Sequence, residues 1–150
     1  MVTLAGSNGL VVALWTEAPN VDELEQMEAA GEQQARANRG KAALLNVVVS
    51  GRPIFPEPVR EKCRQMISDG RPFNWAVAHL ILLDSIAGAG VRAFLTASVF
   101  FARSPIPKRA FGKRGEACAW MAKTIGWTPV RVEQLLDECL PRYRMAPSLL

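Results

Sequence analysis

Two apolar stretches decide the fold of this chain: AALLNVVV at residues 42–49 and WAVAHLIL at residues 75–82. Neither stretch alternates between apolar and polar residues, a pattern typical of strands that are buried on both faces of a parallel sheet. The sequence Ser50-Gly51-Arg52-Pro53 breaks the first stretch. We therefore expect two neighbouring central strands, with helices covering both faces.

The residues before the first stretch predict a hairpin and a helix. Strand-like runs at 2–4 and 10–15 flank the turn sequence GSNG at 6–9, a pattern typical of a β-hairpin. Asn20 and Glu23 then have the spacing of a helix capping box. The helix that follows has many charges and a thin apolar stripe, so we expect it to cover one face of a sheet.

The residues after the first stretch continue the alternation of helices and strands. The predicted elements are a helix at 56–69, the strand at 75–82, a helix at about 85–102, a short strand at 109–111, and helices at 113–125 and 129–140. In the helix at 56–69, one face carries Val59, Cys63, Met66 and Ile67. This order predicts an α/β fold with a mainly parallel sheet and an antiparallel hairpin at one side.

The helix expected at about 85–102 is apolar nearly all round. Such a helix is either deeply buried or in contact with a partner chain, and its candidate contact residues are Phe94, Phe100 and Phe101. The apolar stretch from 76 to 102 carries one histidine, one aspartate and one arginine. Because a membrane helix tolerates such residues poorly, we expect no membrane insertion.

Composition and charge fit one soluble cytoplasmic domain. The 150 residues are 49% hydrophobic and 21% charged, close to globular averages. The net charge is +4, and residues 55–150 carry most of the basic side chains, so an anionic partner should contact that part.

The three cysteines are widely spaced and odd in number, which indicates reduced thiols and no metal site. The opening MVTLAGSNG has no signal-peptide pattern.

These landmarks resemble those of the STAS-like superfamily, the SpoIIAA-like anti-sigma-factor antagonists and their relatives. The matching pieces are the opening hairpin, the helix VDELEQM, the strands LLNVVVSG and WAVAHLIL, and the ending RAF followed by GEACAWM. The resemblance covers roughly residues 1–125. It implies a SpoIIAA-like mixed sheet of four to five strands with helices packed on it. We assign 1–126 to this domain, 127–141 to an extra C-terminal helix packed on it, and 142–150 to a loose tail.

The resemblance also implies a function. STAS-like proteins are generally non-enzymatic regulatory modules that bind protein partners, and some bind nucleotides or lipids. In the antagonist branch, a phosphorylated serine or threonine follows a central strand, and the matching place here is Val49-Ser50-Gly51. The candidate phosphorylation or partner loop is therefore Ser50, Gly51 and Arg52, although Arg52 and Pro53 delay the next helix relative to the family pattern. A phosphate there would change partner affinity. However, the acidic residue that precedes the family's serine is absent, and a plain turn serine explains the same position.

Other candidate chemistry is weaker. His79 lies alone in an apolar strand, which favours a core histidine over a catalytic or metal-binding one. The glycines of GAG at 88–90 fit a dinucleotide motif only formally, because they fall inside a predicted helix. We therefore expect no cofactor. Four tryptophans have apolar neighbours in sequence, so we expect them to be packing anchors; an exposed one would indicate a partner site.

Two surface features leave alternatives open. A basic run is the candidate anion patch; its members are Arg103, Lys108, Arg109, Lys113 and Arg114. Residues 117–140 also fit a helix-turn-helix, with Gly126 at the turn, which would favour DNA binding. The carboxylates Glu133, Asp137 and Glu138 argue against it because they repel phosphates.

The leading hypothesis is a non-enzymatic STAS-like interaction module of bacterial signalling type with a protein partner, which can also be a second copy of the chain. The alternatives are a DNA-binding protein, or a domain that binds a small ligand such as a nucleotide or lipid at the carboxyl edge of the sheet.

Overall fold

The sheet has five strands in the order β1-β2-β3-β4-β5 in the computed structural model, which describes residues 1–50, 55–82 and 106–140. The strands are β1 (Val2–Ser7), β2 (Leu10–Trp15), β3 (Ala43–Val48), β4 (Ala76–Ile81) and β5 (Lys108–Phe111). β1 is antiparallel to β2, and β2 to β5 run parallel. The predicted mixed sheet with an N-terminal hairpin is therefore confirmed.

The two apolar stretches lie side by side in the centre of the sheet, as predicted. β3 pairs with β2 on one side and β4 on the other, and all three strands are parallel. Their register places Asn46 of β3 directly beside His79 of β4. The single polar residue of β3 is therefore paired with the single polar residue of β4.

The hairpin turn is tighter than the four-residue turn the sequence predicts. Strand pairing continues to Ser7 and Leu10, so only Asn8 and Gly9 form the turn. Both have positive φ angles, +45° and +93°. Two consecutive residues of this kind give a turn whose twist matches that of the flanking strands, and asparagine followed by glycine is its preferred sequence.

Four described helices follow the predicted order: α1 (Val21–Ala37), α2 (Glu57–Asp69), α3 (Arg114–Ile125) and α4 (Pro129–Cys139). The Asn20 side chain accepts a hydrogen bond from the backbone N–H of Glu23 at 2.8 Å and so caps α1. Thr128 caps α4 by accepting from the N–H of Arg131 at 3.3 Å. Both caps are those that the sequence indicates. Within the described ranges, none of the helices is long and apolar enough to span a membrane.

The helices form one layer on each side of the sheet. On the α3/α4 face, the strands contribute a continuous apolar surface; its members include Leu10, Val12, Leu14, Leu45, Val47, Ala78 and Leu80. On the α1/α2 face, the apolar cluster includes Val11, Ala13, Trp15, Leu44 and Val77. Alternate residues of each strand therefore serve opposite faces, as the pleat of a strand requires.

One residue of the predicted apolar face of α2 is exposed. Val59 is buried and Cys63 and Met66 are half-buried, but Ile67 is 43% exposed. With 3.6 residues per turn, Ile67 lies about 80° around the helix from Val59, at the edge of the stripe. Ile67 is therefore the exposed edge of the predicted face, and the other three residues make its buried or half-buried part.

Candidate functional site

A row of hydrogen-bonded polar side chains crosses three strands on the α1/α2 face. Trp15 ends β2, and Asn46 and His79 sit within β3 and β4. The Trp15 indole N–H donates to Asn46 Oδ1 at 2.5 Å. Asn46 Nδ2 lies 3.1 Å from His79 Nδ1. Trp15 is buried, whereas Asn46 and His79 are half-buried. We call Trp15, Asn46 and His79 the polar row.

The polar row determines which nitrogen of His79 carries the proton. An indole N–H can only donate, so the atom of Asn46 that faces Trp15 must be its carbonyl oxygen. The Asn46 amide nitrogen, which can only donate, therefore faces His79. His79 Nδ1 must then accept, and the proton of the neutral imidazole lies on Nε2. The row thus presents one defined donor, the Nε2–H of His79.

The surroundings of His79 also keep its imidazole neutral. Burial first, and the positive charge of Lys108 second, lower the pKa of His79 from 6.5 to about 4. A proton on Nδ1 would in addition place two donors, that proton and the Asn46 amide, against each other. At neutral pH the side chain is therefore an uncharged hydrogen-bond donor.

Lys108 lies on the same face of the sheet as His79. It pairs with Val77 in the β4–β5 register, and His79 pairs with Ala110. Val77 and His79 are two residues apart in one strand, so Lys108 and His79 are diagonal neighbours on the α1/α2 face. Lys108 is half-buried, and burial lowers the pKa of its ammonium group. In the described part of the chain it forms no ion pair.

The predicted anion patch is divided by the fold. Arg109 lies on the opposite face from Lys108, with its guanidinium 5.3 Å from the centre of the Phe111 ring. Lys113 is exposed at the start of α3. Arg114 is half-buried and pairs with Asp137 at 2.5 Å and Glu133 at 3.6 Å. Because these carboxylates compensate its charge, Arg114 is not available to bind an external anion.

Ser50 lies where the central strand β3 gives way to a loop. Its hydroxyl donates a hydrogen bond to the backbone carbonyl of Thr16 at 2.6 Å. The hydroxyl thus ties the carboxyl ends of β2 and β3 together, which is the role of the turn serine considered above. Gly51 and Arg52, the other members of the predicted partner loop, lie outside the described residues.

An exposed corner between α3 and α4 was not among the predicted contact residues. The Arg131 guanidinium stacks 3.9 Å from the centre of the Trp127 ring. Val130 beside them is 61% exposed. Trp127 packs against the core but stays half-buried, as do Trp75 and Trp120; of the four tryptophans, Trp15 is buried. We call Trp127, Val130 and Arg131 the Trp127 corner.

All four tryptophans therefore pack in or against the core, as expected, and Trp127 leaves part of its ring accessible at the surface. The sequence signal for the corner was the spacing Trp-x-x-Val-Arg across a helix start, which brings an aromatic ring and a cation together. The helical segment with Phe94, Phe100 and Phe101, the GAG sequence at 88–90, Arg103 and the tail at 142–150 all fall outside the described residues.

The two helices of the alternative DNA-binding unit pack on the sheet. Met121, Ala122, Val132 and Leu135 are all buried in the core of the α3/α4 face. The surface of α4 carries exposed Asp137 and Glu138 as well as Arg131. Across the described ranges, no group of three or more His, Cys, Asp or Glu side chains is placed to hold a metal ion.

Comparison with known proteins identifies the fold. No family model and no curated protein matches the chain. Among solved structures, the chain is similar to an uncharacterised protein of the DUF3478 family from Shewanella loihica PV-4, described as having a SpoIIAA-like fold. The identity is 12%, the TM-score is 0.53, and the match covers 80% of this chain and 91% of that protein. Taken with the strand order and the hairpin, this likeness shows that the chain has a SpoIIAA-like fold, as the sequence resemblance predicts.

Proposed function

We propose that the chain is a non-enzymatic interaction module, regulatory in the manner of STAS-like proteins, that binds a protein partner through the Trp127 corner. The observation that carries the proposal is an exposed aliphatic side chain beside a stacked tryptophan and arginine. Tryptophan and arginine are the residues most enriched where binding energy concentrates in protein interfaces. A lone exposed valine needs no explanation, but this combination is typical of a contact site.

The backbone around the corner holds these side chains in place before any partner arrives. Gly126 ends α3 with a φ angle of +77°, and the N–H of Trp127 donates to the carbonyl of Ala122 at 2.8 Å. Thr128 caps α4, and Pro129 is its first residue. Because a preorganised surface loses little conformational entropy on binding, a small patch of this kind can still bind well.

The charges at the corner indicate the chemistry of the partner surface. Arg131 and nearby Lys123 are both exposed. A guanidinium that stacks by its face on an indole keeps its edge N–H groups available for a carboxylate. We therefore expect the partner to present an apolar side chain together with an Asp or Glu.

Site-specific photocrosslinking in the source organism tests the proposal. A photoreactive phenylalanine derivative replaces Val130, and in a matched control it replaces Ile67, which is 43% exposed on α2. We expect the label at position 130 to capture one protein, and the added change Arg131→Glu to abolish the capture. With the purified partner, Trp127→Ala should weaken binding by about thirtyfold, the effect of removing a central interface residue.

Three outcomes contradict the proposal. Capture of the same proteins from positions 130 and 67 indicates nonspecific contact. Crosslinks to nucleic acid from position 130 favour the helix-turn-helix alternative instead. Turnover of a substrate by the purified chain contradicts the non-enzymatic assignment.

A further inference from the structure

The two edge strands of the described sheet differ in how they are protected against pairing with a further strand. At one edge, β5 has only four residues, two of them the cations Lys108 and Arg109, and Pro107 precedes it. Short length, cations and proline are among the features by which proteins block strand addition. At the other edge, β1 has six residues without a charge, a proline or a break in its register. The β1 edge therefore lacks this protection.

The hydrogen bonds of the hairpin show which backbone groups of β1 point outward. The N–H of Thr16 donates to the carbonyl of Met1 at 3.1 Å, and opposed residues of an antiparallel pair alternate between bonded and non-bonded positions. The odd-numbered residues of β1 therefore bond to β2, and Val2, Leu4 and Gly6 direct their N–H and C=O groups away from the sheet. In the described part of the chain these groups have no hydrogen-bond partner. Val2 and Leu4 are half-buried, and Gly6 is exposed.

We infer that the β1 edge is the docking site for a second copy of this chain, whose β1 pairs antiparallel with the first across a twofold axis at Leu4. In that register Val2 lies opposite Gly6 of the second copy, and the two copies of Leu4 lie opposite each other. The outward N–H and C=O groups then satisfy one another, because opposed residues in bonded positions exchange two hydrogen bonds. The same surface serves both copies, as a twofold interface requires. Two five-stranded sheets would thereby become one continuous sheet.

Helix α1 lies beside this edge and has a small side chain near the proposed axis. Glu23 and Val2 border the same surface hollow at one end of β1, and Gln34 lies over Gly6 at the other end. Ala30 lies between Glu23 and Gln34 on the same side of α1, near the middle of β1. Because α1 contacts both β1 and β2, pairing through β1 would place the two copies of α1 about 10 Å apart, an ordinary distance for packed helices. A small residue at the closest approach permits this packing.

The charges of α1 fit a second copy in the same orientation. The exposed acids Asp22 and Glu25 lie at its start, and the exposed cations Arg36 and Arg39 lie at or just beyond its end. Antiparallel pairing of β1 brings the acidic start of each helix towards the basic end of the other, which is electrostatically complementary. An unrelated extended peptide would add a strand without this complementarity, so the charges favour a second copy.

Cysteine substitutions on β1 test the register. Leu4→Cys places two thiols at the axis, with Cα atoms about 5.5 Å apart, a distance that a disulfide bond spans. Val2→Cys places the Cα atoms about 14 Å apart, beyond the reach of a disulfide. With oxidised glutathione as the oxidant, we expect Leu4→Cys to form a covalent dimer and Val2→Cys to stay unlinked. The wild-type chain, which has three free cysteines of its own, is the control for background linkage.

Two adjacent alanines of α1 supply matched variants for the noncovalent dimer. Ala30→Arg places two like charges near the axis, whereas Ala29→Arg places the same side chain at an exposed position about 100° around the helix. Sedimentation velocity over a range of concentrations gives each dissociation constant. We expect wild type and Ala29→Arg to dimerise with similar affinity, and the dissociation constant of Ala30→Arg to rise about a hundredfold. Circular dichroism first establishes that both variants keep the wild-type helix content.

The inference is overturned if the wild-type chain is monomeric at every accessible concentration, or if Leu4→Cys forms no more covalent dimer than Val2→Cys. Equal dissociation constants for Ala30→Arg and Ala29→Arg would overturn it as well. A disulfide between Leu4→Cys and a different protein in cell extract, with the wild-type chain monomeric, would assign the edge to another partner and reject the second copy. None of these results bears on the Trp127 corner, which the photocrosslinking experiment tests separately.

Discussion

The same strands form both faces of the sheet, but the side chains at the middle of the two faces differ in polarity. On the α3/α4 face, Leu14, Leu45 and Leu80 are fully buried in a continuous apolar layer. On the α1/α2 face, the corresponding part of the sheet carries Asn46 and His79. Buried apolar area stabilises a fold roughly in proportion to its size, whereas a polar group on such a face contributes little even when it is hydrogen-bonded.

This difference separates apolar packing from side-chain hydrogen bonding. The α3/α4 face holds the sheet and the last two helices together. In the polar row, hydrogen bonds within the chain run from the Trp15 indole N–H through the Asn46 amide to His79 Nδ1. Changes on the first face should therefore alter the free energy of unfolding, and changes on the second should alter the state of His79.

The largest expected effect is on the apolar face. Leu45→Ala removes a fully buried side chain and should lower the free energy of unfolding by about 2–5 kcal/mol, because transfer and cavity terms add. Chemical denaturation measures this value. The tautomer of His79 should not change in the folded variant. A loss of less than about 1 kcal/mol would show that this face is less tightly packed than the structure indicates.

The second effect is a pH dependence that arises on the polar face. The pKa of His79 is lowered from 6.5 to about 4 in the folded state, so the unfolded chain takes up the proton first as the pH falls. Stability from this group is complete above pH 6.5 and declines as the pH falls to about 4. The loss is about 3 kcal/mol at most.

The variant His79→Gln isolates this contribution, because the carboxylates of the chain titrate in both proteins. The difference in the free energy of unfolding between wild type and His79→Gln should change across the interval from pH 6.5 to about 4. A constant difference over that interval means that His79 is not held neutral.

A smaller effect is expected from the first member of the polar row. Trp15→Phe removes the indole N–H and leaves Asn46 Oδ1 without its donor, at a cost of about 1–3 kcal/mol. The Asn46 amide is then free to rotate, so His79 should populate both tautomers in the nitrogen-15 spectrum. An unchanged single tautomer would show that something other than Trp15 orients Asn46.

The smallest effect belongs again to the α3/α4 face. Thr128→Ala removes the side-chain cap of α4 and should cost about 1 kcal/mol. Thermal or chemical unfolding measures it, with Thr128→Ser as the control that keeps the hydroxyl. Neither variant should alter the His79 signals, and a change in those signals would mean that the two faces are coupled.

Much of the fold was predictable because its signals are local. The uninterrupted stretches at 42–49 and 75–82 indicated central parallel strands, and Asn20 and Thr128 indicated the helix starts. The glycine and asparagine content of residues 6–9 indicates the position of the hairpin turn correctly. It overestimates the length of the turn, because composition does not show where the pairing of the strands ends. Helix geometry places Ile67 at the edge of the apolar face of α2, but whether that edge is buried depends on the elements that pack there, which the sequence does not specify.

The polar row was missed because it depends on the register between strands. Taken alone, a histidine in an apolar strand indicates a core histidine, and its partner Asn46 is 33 residues away in the sequence. A usable signal existed: each is the fifth residue of its apolar stretch, so aligning the two stretches places them side by side. No comparable signal connects Trp15 or Lys108 to them, since those contacts require the complete sheet.

The hydrogen bonding of the polar row requires His79 to be a neutral imidazole with its proton on Nε2. A pH series of nitrogen-15 spectra of the unligated wild-type protein tests it most directly. We expect a protonated Nε2 and an acceptor Nδ1 at neutral pH, with titration only near pH 4. A proton on Nδ1, or titration at the ordinary value of 6.5, would contradict the claim.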